Sequence, residues 1–335
     1  MDNKALGIFA GAAVLRLTVF ILFPTIPEFL STQVEIATPV SSFKRLQEGL
    51  FLHERGVSPY DGGLFHQAPL LLTIFGLFPP SLVFTFLDLL SAASLKSLAD
   101  NIRLPSPRFK PLDGTFIAAA YLFSPFTIFS CLGRSTSVLT NATVIQSVLS
   151  AYQGNVLQSM VALAFGAYLN MYPGLLLPPV LILFYRFNTK EGPNTNSILT
   201  NVGYFLAALT GFVASTALVT GNIWEFVGSC YGFQLTVPDL TPNVGLWWYF
   251  QIEIFDPFRE FFIGLFWLHL TGYVGGFSIR LHKEPLFAIT SLLGLFAVFK
   301  PYPNIADVAV YFGFLPMYQH IIPCELLDLG RTPAN

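Results

Sequence analysis

The chain has 335 residues, of which 53% are hydrophobic and only 11% are charged, and its mean hydropathy is +0.62. Soluble domains carry about a quarter charged residues, so one aqueous fold cannot bury this much apolar surface, and the composition predicts a polytopic membrane protein. A net charge of −2, without a basic block or zinc-finger cysteines, argues against nucleic acid as a partner.

The uncharged stretches predict membrane helices, because a helix needs about 20 apolar residues to cross a bilayer. The first, Ala5–Pro24, carries Arg16 at its middle and no small-residue cleavage site after it, which favours a retained helix over a signal peptide. Pro79-Pro80 then separates a re-entrant or broken piece ending at Phe78 from a crossing at Ser81–Leu98. The further predicted spans are Leu112–Leu132, Ser137–Tyr152, Val156–Tyr172, Pro173–Tyr185, Ile198–Thr220, Phe261–Ile279, Pro285–Phe299 and Ile305–Ile322.

The predicted fold is therefore an all-α polytopic membrane helix bundle with about 9–11 membrane helices, forming a single multi-spanning domain over residues 1–335. Several spans are shorter than a full crossing. Pro173-Gly174 is predicted to divide two helices that meet at one membrane face, because proline lacks the amide donor and clashes with the preceding turn.

The orientation follows from basic residues in the short loops. By the positive-inside rule these loops face the cytosol, and the long loops 25–66 and 221–260 then lie on the opposite, lumenal side. Any chemical or recognition function is expected on that side. The basic residues are Arg103, Arg108 and Lys110 in one loop, Arg186 and Lys190 in the second, and Arg280 and Lys283 in the third.

The 25–66 loop contains a predicted amphipathic helix that follows Pro39, with Ser41 or Ser42 as its cap. Its apolar residues recur at helical spacing, so we expect it to lie in the membrane interface. One interpretation is a membrane-surface spacer. The other is a platform facing lipid headgroups, with Lys44 and Arg45 near phosphate.

The same loop ends in a turn, Ser58-Pro59-Tyr60-Asp61-Gly62-Gly63, in which proline presets φ and Asp-Gly tolerates positive φ. A turn explains the glycines and prolines but needs neither Asp61 nor His66. Polar side chains of these types are costly at a bilayer and often functional, so both are candidates for contact with a ligand, beside the alternative that they only belong to the turn.

The remaining candidates lie in the 221–260 loop and in residues 299–311. Asp239 and Asn243 suit side-chain-to-backbone turns, and the run Trp247-Trp248-Tyr249-Phe250 is predicted as an aromatic belt at the headgroups. Lys300 is predicted to extend toward a lipid phosphate. Asp307 suits the start of the last helix, where an acid favours the dipole, and helix capping is its alternative role.

Catalytic signatures are absent from the sequence. It contains no HExxH, GxSxG or P-loop motif, and its histidines do not fall at metal-ligand spacing. The cysteines are single residues, which implies neither a disulfide framework nor a metal knuckle, although Cys131 and Cys230 could both reach the lumenal face and pair. We therefore expect no catalytic residue, no metal and no cofactor.

The stretches "VEIATPVSSFKRLQEGL", "GVSPYDGGLFHQAPL", "VPDLTPNVGLWWYF" and "FKPYPNIADVAVYFGFLP" resemble, in order, the PIG-U subunit family of the glycosylphosphatidylinositol (GPI) transamidase complex. The resemblance runs from about Arg16 to about Pro323. It implies a multi-pass protein of the endoplasmic reticulum membrane. It also implies further membrane helices beyond the closing residues "IIPCELLDLGRTPAN".

The resemblance further implies partners. A separate caspase-like subunit of the complex cuts the precursor's attachment signal and transfers the protein to the GPI lipid. The expected role of a PIG-U member is non-catalytic: it helps present the GPI lipid, the attachment signal, or both. The candidate lipid-binding residues are Lys44, Arg45, Asp61, His66, Asp239, Asn243, Lys300 and Asp307.

An alternative remains open, because the PIG-U family is itself similar to the multispanning dolichol-phosphate-mannose-dependent mannosyltransferases, which share the SPY-type loop and the glycosyltransferase C membrane fold. Those enzymes place acidic residues in the first lumenal loop, where a carboxylate can act as general base. Glu28 and Glu35 occupy that loop here. A transporter is a third possibility, disfavoured because Arg16, Asp88 and Asp113 look isolated and form no acid-base relay.

Overall fold

The computed structural model describes residues 3–102, 112–189, 192 and 194–319. Within these ranges every regular element is helical, with short 3₁₀ segments at Tyr172–Leu176 and Leu315–Tyr318 and a π-helical segment at Val227–Gly232. The α-helices are α1 Asn3–Leu22, α2 Thr25–Leu30, α3 Phe43–Glu54, α4 Leu70–Leu77, α5 Pro80–Asn101, α6 Gly114–Leu122, α7 Pro125–Leu132, α8 Ser137–Tyr152, α9 Val156–Leu169, α10 Leu177–Asn188, α11 Thr195–Thr220, α12 Ile223–Phe226, α13 Phe233–Thr236, α14 Leu246–Glu253, α15 Asp256–Arg280, α16 Pro285–Phe299 and α17 Ile305–Phe314.

The all-α polytopic membrane fold is confirmed. Among the described residues, four helices, α1, α5, α11 and α15, are long and apolar enough to cross a bilayer, and the bent pair α6–α7 would make a fifth span. The apolar helices α9 and α16 are shorter than a full crossing, so the number of about 9–11 membrane helices stays a prediction.

The predicted span Leu112–Leu132 is not one straight helix: it consists of α6 and α7, which meet at 51° and pass as a membrane span only together. Ser124 adopts an extended backbone conformation, and Pro125 begins α7. Proline has no amide to donate to the preceding turn, so the break leaves carbonyl groups at the end of α6 in need of partners.

Arg16 supplies one of those partners. Its Nη2 donates to the Leu122 carbonyl at the end of α6 over 2.9 Å, and its Nε donates to Asp88 Oδ2 of α5 over 2.9 Å. Both charged side chains are fully buried. The prediction that Arg16 and Asp88 are isolated is therefore wrong: the buried ion pair joins the first helix to α5 and to the α6–α7 break.

The predicted helix in the 25–66 loop forms as α3, with Ser42 at the N-cap position but without a side-chain capping bond. Its apolar face packs on protein, since Phe43 contacts the rings of Phe75 and Phe84 at 5.3 and 5.9 Å between centroids. Gly49 lies so close to the Phe65 ring that an added Cβ would fall 2.7 Å from it. This contact ties α3 to the segment that follows the turn.

The predicted division of the chain around Pro173 is confirmed, although the helix boundaries on either side of it differ by three to four residues from the predicted ones. Helix α9 ends at Leu169, the 3₁₀ segment contains Pro173, and α10 starts at Leu177. The last predicted span forms α17 and a 3₁₀ turn. Its final residues lie outside the described part of the chain, as do the predicted cytosolic residues Arg103, Arg108, Lys110 and Lys190. Cys131 and Cys230 are both buried and unpaired.

Candidate functional site

Three connecting segments meet at one end of the helix bundle: the 23–69 segment that carries α3, the 221–255 segment after α11, and residues 300–304 between α16 and α17. Arg45 of the first contacts Asp239 of the second, and Tyr302 of the third contacts Asp239 from another side. The Ile305 amide donates to the Glu35 carbonyl over 2.8 Å. The fold thus brings most of the predicted site residues together.

Arg45 and Asp239 form a loose, partly exposed ion pair, with 3.5 Å between Nη2 and Oδ2 and side-chain exposures of 25% and 19%. Burial alone would raise the pKa of Asp239. The hydrogen bonds from Thr241 and the Arg45 charge outweigh burial and lower the pKa of this carboxyl below its usual value. Asp239 is therefore an anion at neutral pH, and Arg45 keeps donors exposed beside it.

His66 is held between an aromatic ring and a backbone carbonyl. It stacks on Phe233 with 3.7 Å between ring centroids and 16° between planes, and its Nδ1 lies 2.9 Å from the Ser229 carbonyl oxygen. Ser229 belongs to the π-helical segment, and such irregular turns are frequent at functional sites. Burial lowers the pKa of His66, and Arg45 lowers it further. The ring is thus neutral, with its proton on Nδ1.

Tyr302 continues this aromatic stack on the other side of Phe233, at 5.3 Å between ring centroids. Its hydroxyl donates to the Asp239 carbonyl over 3.0 Å and accepts from the Asp239 amide over 3.2 Å. Burial raises the pKa of this phenol, so it remains a neutral donor. We call His66, Phe233 and Tyr302 the aromatic stack, and its Tyr302 holds the Asp239 backbone in place.

Asn243 shapes the loop that follows Asp239. Its side-chain oxygen accepts from the Gly245 amide over 2.7 Å, and its amide donates to the Pro301 carbonyl over 3.4 Å. The predicted turn role is confirmed by these bonds. Asn243 is half-buried and fastens the second loop to residues 300–304.

The predicted aromatic belt is only partly correct. Trp247 is fully buried, and its indole donates to the Phe299 carbonyl. It packs on Trp267, since consecutive residues of a helix point to different sides. Tyr249 is 59% exposed and remains suited to a headgroup position.

Lys300 does not extend outward as predicted. Its Nζ lies 2.5 Å from Asp307 Oδ1 and 5.0 Å from the centre of the Tyr172 ring, and the residue is only 9% exposed. Asp307 also forms a reciprocal capping box with Asn304 at the start of α17, so the capping role anticipated for it is present. Lys300 and Asp307 therefore form a buried ion pair at the start of α17, beneath the exposed residues of the site.

Lys44 and Asp61 are both exposed and stand apart from these buried contacts. Lys44 lies on the outer face of α3 next to Arg45. Asp61 lies in the turn that closes with a Gly63 φ of +66°, a value that glycine adopts without strain. Both are free to meet a ligand at the rim of the site.

Several residues that position the site were not singled out from the sequence. Ser58 donates to Glu225 over 2.6 Å, and buried Tyr60 donates to the Gln67 carbonyl over 3.0 Å. Gln67 in turn donates to the Ser42 carbonyl over 2.8 Å. These bonds join the turn to α12 and to the start of α3. The only sequence signal was the density of polar residues beside an apolar run.

Asn304 is a further positioning residue that the sequence pattern does not indicate. Besides capping α17, its amide donates to Ser41 over 3.1 Å and to Ser137 over 2.7 Å. It therefore connects the first loop, α8 and α17 at one buried point.

The carboxylates considered for transferase chemistry are placed differently. Glu28 lies in the first turn of α2, and Glu28 and Glu35 are both exposed. Glu35 contributes its backbone carbonyl, not its carboxylate, to the meeting of the three segments. Neither side chain is built into the Arg45–Asp239–His66 arrangement.

The arrangement as a whole suits recognition of a polar, anionic group at a membrane surface. Lys44 and Arg45 offer cationic donors, and Asp61 and Asp239 offer acceptors for hydroxyl or ammonium groups. Neutral His66 adds an acceptor on Nε2 when its proton is on Nδ1. The apolar helix α4 starts directly behind, at Leu70.

Comparison with known proteins assigns the chain to a family. The family model described as "GPI transamidase subunit PIG-U" matches residues 10–326. The chain is 33% identical over 330 residues to "GPI transamidase component GAB1" of Saccharomyces cerevisiae, covering 95% of this chain and 79% of that protein. It is 32% identical over 330 residues to "GPI-anchor transamidase component PIGU" of Homo sapiens, covering 89% of this chain and 75% of that protein. The match to the Mus musculus protein of the same name is 32% over 329 residues. The chain belongs to the PIG-U family.

Proposed function

We propose that this chain is a non-catalytic membrane subunit of GPI transamidase that acts in the endoplasmic reticulum membrane. The observation that carries the proposal is similarity along nearly the whole chain to proteins named as transamidase components in yeast and mammals. These names favour the transamidase role over that of a mannosyltransferase. The several membrane-length apolar helices agree with a multi-pass subunit.

In this proposal the GPI lipid binds where the three connecting segments meet, on the predicted lumenal face. The charged and polar side chains there match the charged and polar groups of the lipid headgroup. Lys44 and Arg45 bind phosphate oxygens, because a cation and an anion form charge-assisted hydrogen bonds. Asp61, His66, Asp239 and Asn243 bind hydroxyl and amine groups of the glycan. Lys300 and Asp307 do not contact the lipid in this proposal; they stabilise the start of α17, on which the site is built.

The chemistry itself belongs to a separate caspase-like subunit. This chain would hold the lipid, the attachment signal, or both, beside that subunit. Binding of the glycan in a fixed orientation reduces the entropy cost of bringing its amine to the reacting centre. Rigid loops are suited to this task, and the hydrogen bonds of Ser58, Tyr60 and Gln67 tie the first loop to α12 and to the start of α3.

Affinity purification tests the assignment to the complex. The full chain, tagged and expressed in cells that lack their own PIG-U relative, is extracted in a mild detergent, and its bound proteins are identified by mass spectrometry. We expect the caspase-like subunit to be recovered. A well-folded chain that repeatedly fails to recover this subunit contradicts the proposal.

Surface display of a GPI-anchored reporter tests the lipid site in the same cells. The double substitution Asp61→Asn with His66→Phe is expected to lower display while the complex still assembles. Glu253→Gln is the matched control, since Glu253 is an exposed acid of the second loop without a predicted ligand role. If the double variant assembles into the complex and display is undiminished, Asp61 and His66 do not bind the lipid.

A further inference from the structure

A large apolar groove runs along α10, beside the first turns of α11 and the residues that follow α15. Helix α11 packs chiefly on α9, and α15 packs on α16 and α10, so a face of α10 is left open between them. The groove encloses about 680 Å³, within the range of small-molecule sites. Its apolar lining is Leu177, Pro178, Leu181, Ile182, Ile198 and Val202.

One end of this groove is basic. Arg186, in the last turn of α10, and His282, just after α15, both line it and are exposed. His282 is oriented by a hydrogen bond between its Nδ1 and the Ile279 carbonyl, at 2.9 Å. Arg280 and Lys283 lie in the same turn with one acid, Glu284. By the positive-inside rule this end faces the cytosol.

Polar contacts join α10 to α11 at this end of the groove. The Tyr185 hydroxyl, on the groove wall, lies 2.8 Å from Ser197 Oγ and accepts from the Asn201 amide over 2.8 Å. These bonds fix α10 to the first turns of α11 just below Arg186. From Leu177 to Arg186 the apolar lining extends for roughly 14 Å, at 1.5 Å of rise per residue.

We propose that this groove binds one anionic glycerophospholipid of the cytosolic leaflet. An apolar slot within the hydrocarbon layer accepts the acyl chains, and a basic rim at the surface accepts the phosphate. Basic pockets between membrane helices on the cytosolic side bind anionic headgroups in this way. This lipid is distinct from the GPI lipid, because the basic rim at Arg186 and His282 lies at the opposite end of α10 from Tyr172 and Lys300.

Photolabelling of the purified full chain in phosphatidylcholine vesicles tests the proposal. The probes are phosphatidylinositol and phosphatidylcholine, each with a diazirine in its acyl chain. We expect phosphatidylinositol to label α10 and α11 peptides more strongly than phosphatidylcholine does. Equal labelling by both lipids, or labelling spread over all exposed helices, overturns the proposal.

Variants separate the two halves of the site. Arg186→Gln is expected to reduce phosphatidylinositol labelling about fivefold, the effect of one basic residue at an anionic surface, and to leave phosphatidylcholine labelling unchanged. Val202→Trp fills the slot and is expected to reduce labelling by both lipids. If Val202→Trp fails to fold, Arg186→Gln still decides the outcome.

Lys4→Gln is the control, because Lys4 is an exposed cation on the same predicted face, at the start of α1 and away from the groove. A loss of labelling with Lys4→Gln equal to that with Arg186→Gln would show a general surface effect and refute the site. Crosslinking of a partner subunit's helix to α10 in the purified complex, in place of lipid, would also refute the site. None of these measurements depends on GPI transfer, so they stand apart from tests of the transamidase role.

Discussion

Arg45 and Asp239 lie 3.5 Å apart although 194 residues separate them in the chain. The contact joins α3 in the first long loop to the second long loop, and both side chains keep part of their surface exposed. An ion pair of this kind contributes little to stability, on the order of 0–1 kcal/mol. Its position at the meeting of three segments is the one that the proposed lipid-binding role requires.

Arg45→Gln is therefore expected to lower reporter display about tenfold, as for loss of a charged hydrogen bond to phosphate, while thermal stability in detergent changes little. Asp239→Asn leaves Arg45 available and should lower display less. The charge swap Arg45→Asp with Asp239→Arg distinguishes the roles. Full recovery of display by the swap would mean that only the pair matters, and would contradict phosphate binding by Arg45.

His66 should make the stability of the loops depend on pH. Burial lowers the pKa of His66 in the folded protein, so the unfolded chain binds the proton more readily. Its contribution to stability is present above the ordinary histidine pKa of about 6.5 and is lost as the pH falls through the folded pKa.

The measurement is the unfolding midpoint of wild type and His66→Phe at several pH values between about 7 and about 5. Phenylalanine keeps a ring against Phe233 but loses the bond to Ser229, which is expected to cost about 1 kcal/mol at neutral pH. The difference between the two proteins should shrink as the pH falls. A difference independent of pH would show that His66 does not titrate as we describe.

The Arg16–Asp88 pair should be the most sensitive polar contact in the bundle. Asp88→Asn leaves a fully buried guanidinium without its counter-charge, and breaking such a pair costs about 3–5 kcal/mol. We expect a marked fall in the detergent unfolding temperature. Asp100→Asn provides the comparison, since the Lys96–Asp100 pair is exposed and should contribute about 0–1 kcal/mol. Equal effects of the two substitutions would be inconsistent with the burial of Arg16.

Asn304→Ala removes the α17 cap and the bonds to Ser41 and Ser137. A cap alone is worth about 1 kcal/mol, and the added buried contacts should bring a larger loss. Asn304→Ser retains a capping oxygen but is too short for both serine contacts. The expected order of unfolding temperatures is wild type, Asn304→Ser, Asn304→Ala. Identical temperatures for the two variants would indicate that the serine bonds alone stabilise this point.

Gly49→Ala tests the contact between α3 and the segment after the turn. The new Cβ would lie 2.7 Å from Phe65, a distance that forces one of the two elements to shift. Alanine favours helix by up to about 1 kcal/mol over glycine, so an isolated α3 would be stabilised. A lower unfolding temperature for Gly49→Ala is the expected result, and a higher one would show that Phe65 moves aside without cost.

The sequence predicts the helical membrane fold well because hydrophobic length and proline positions act locally. Helix α3, the start of α4 at Leu70 after Pro69, and the division around Pro173 all follow from nearby residues. The break between α6 and α7 is harder to predict. Pro125 could begin a new helix or only kink an existing one, and the carbonyl freed at the end of α6 is bonded by Arg16, which lies far away in the chain.

The candidate site is only partly predictable for the same reason. Turn chemistry pointed to Asp61, His66 and Asn243, but no local pattern indicates that His66 stacks on Phe233 or that Arg45 meets Asp239. Residue type alone predicts that Trp247 and Lys300 lie at the membrane surface. Their burial depends on which side of the helix or loop packs on α15 and α17, and the single sequence does not contain that information.

The partners of Arg16 have a consequence for how the protein is made. Helix α1 is synthesised before α5 and α6, so its arginine reaches Asp88 and the Leu122 carbonyl only after those helices have been made. An unpaired arginine at mid-bilayer is costly, so α1 must remain at the insertion machinery, or in contact with water, until those later helices arrive. Biogenesis of this membrane protein thus includes an interval in which α1 waits for α6.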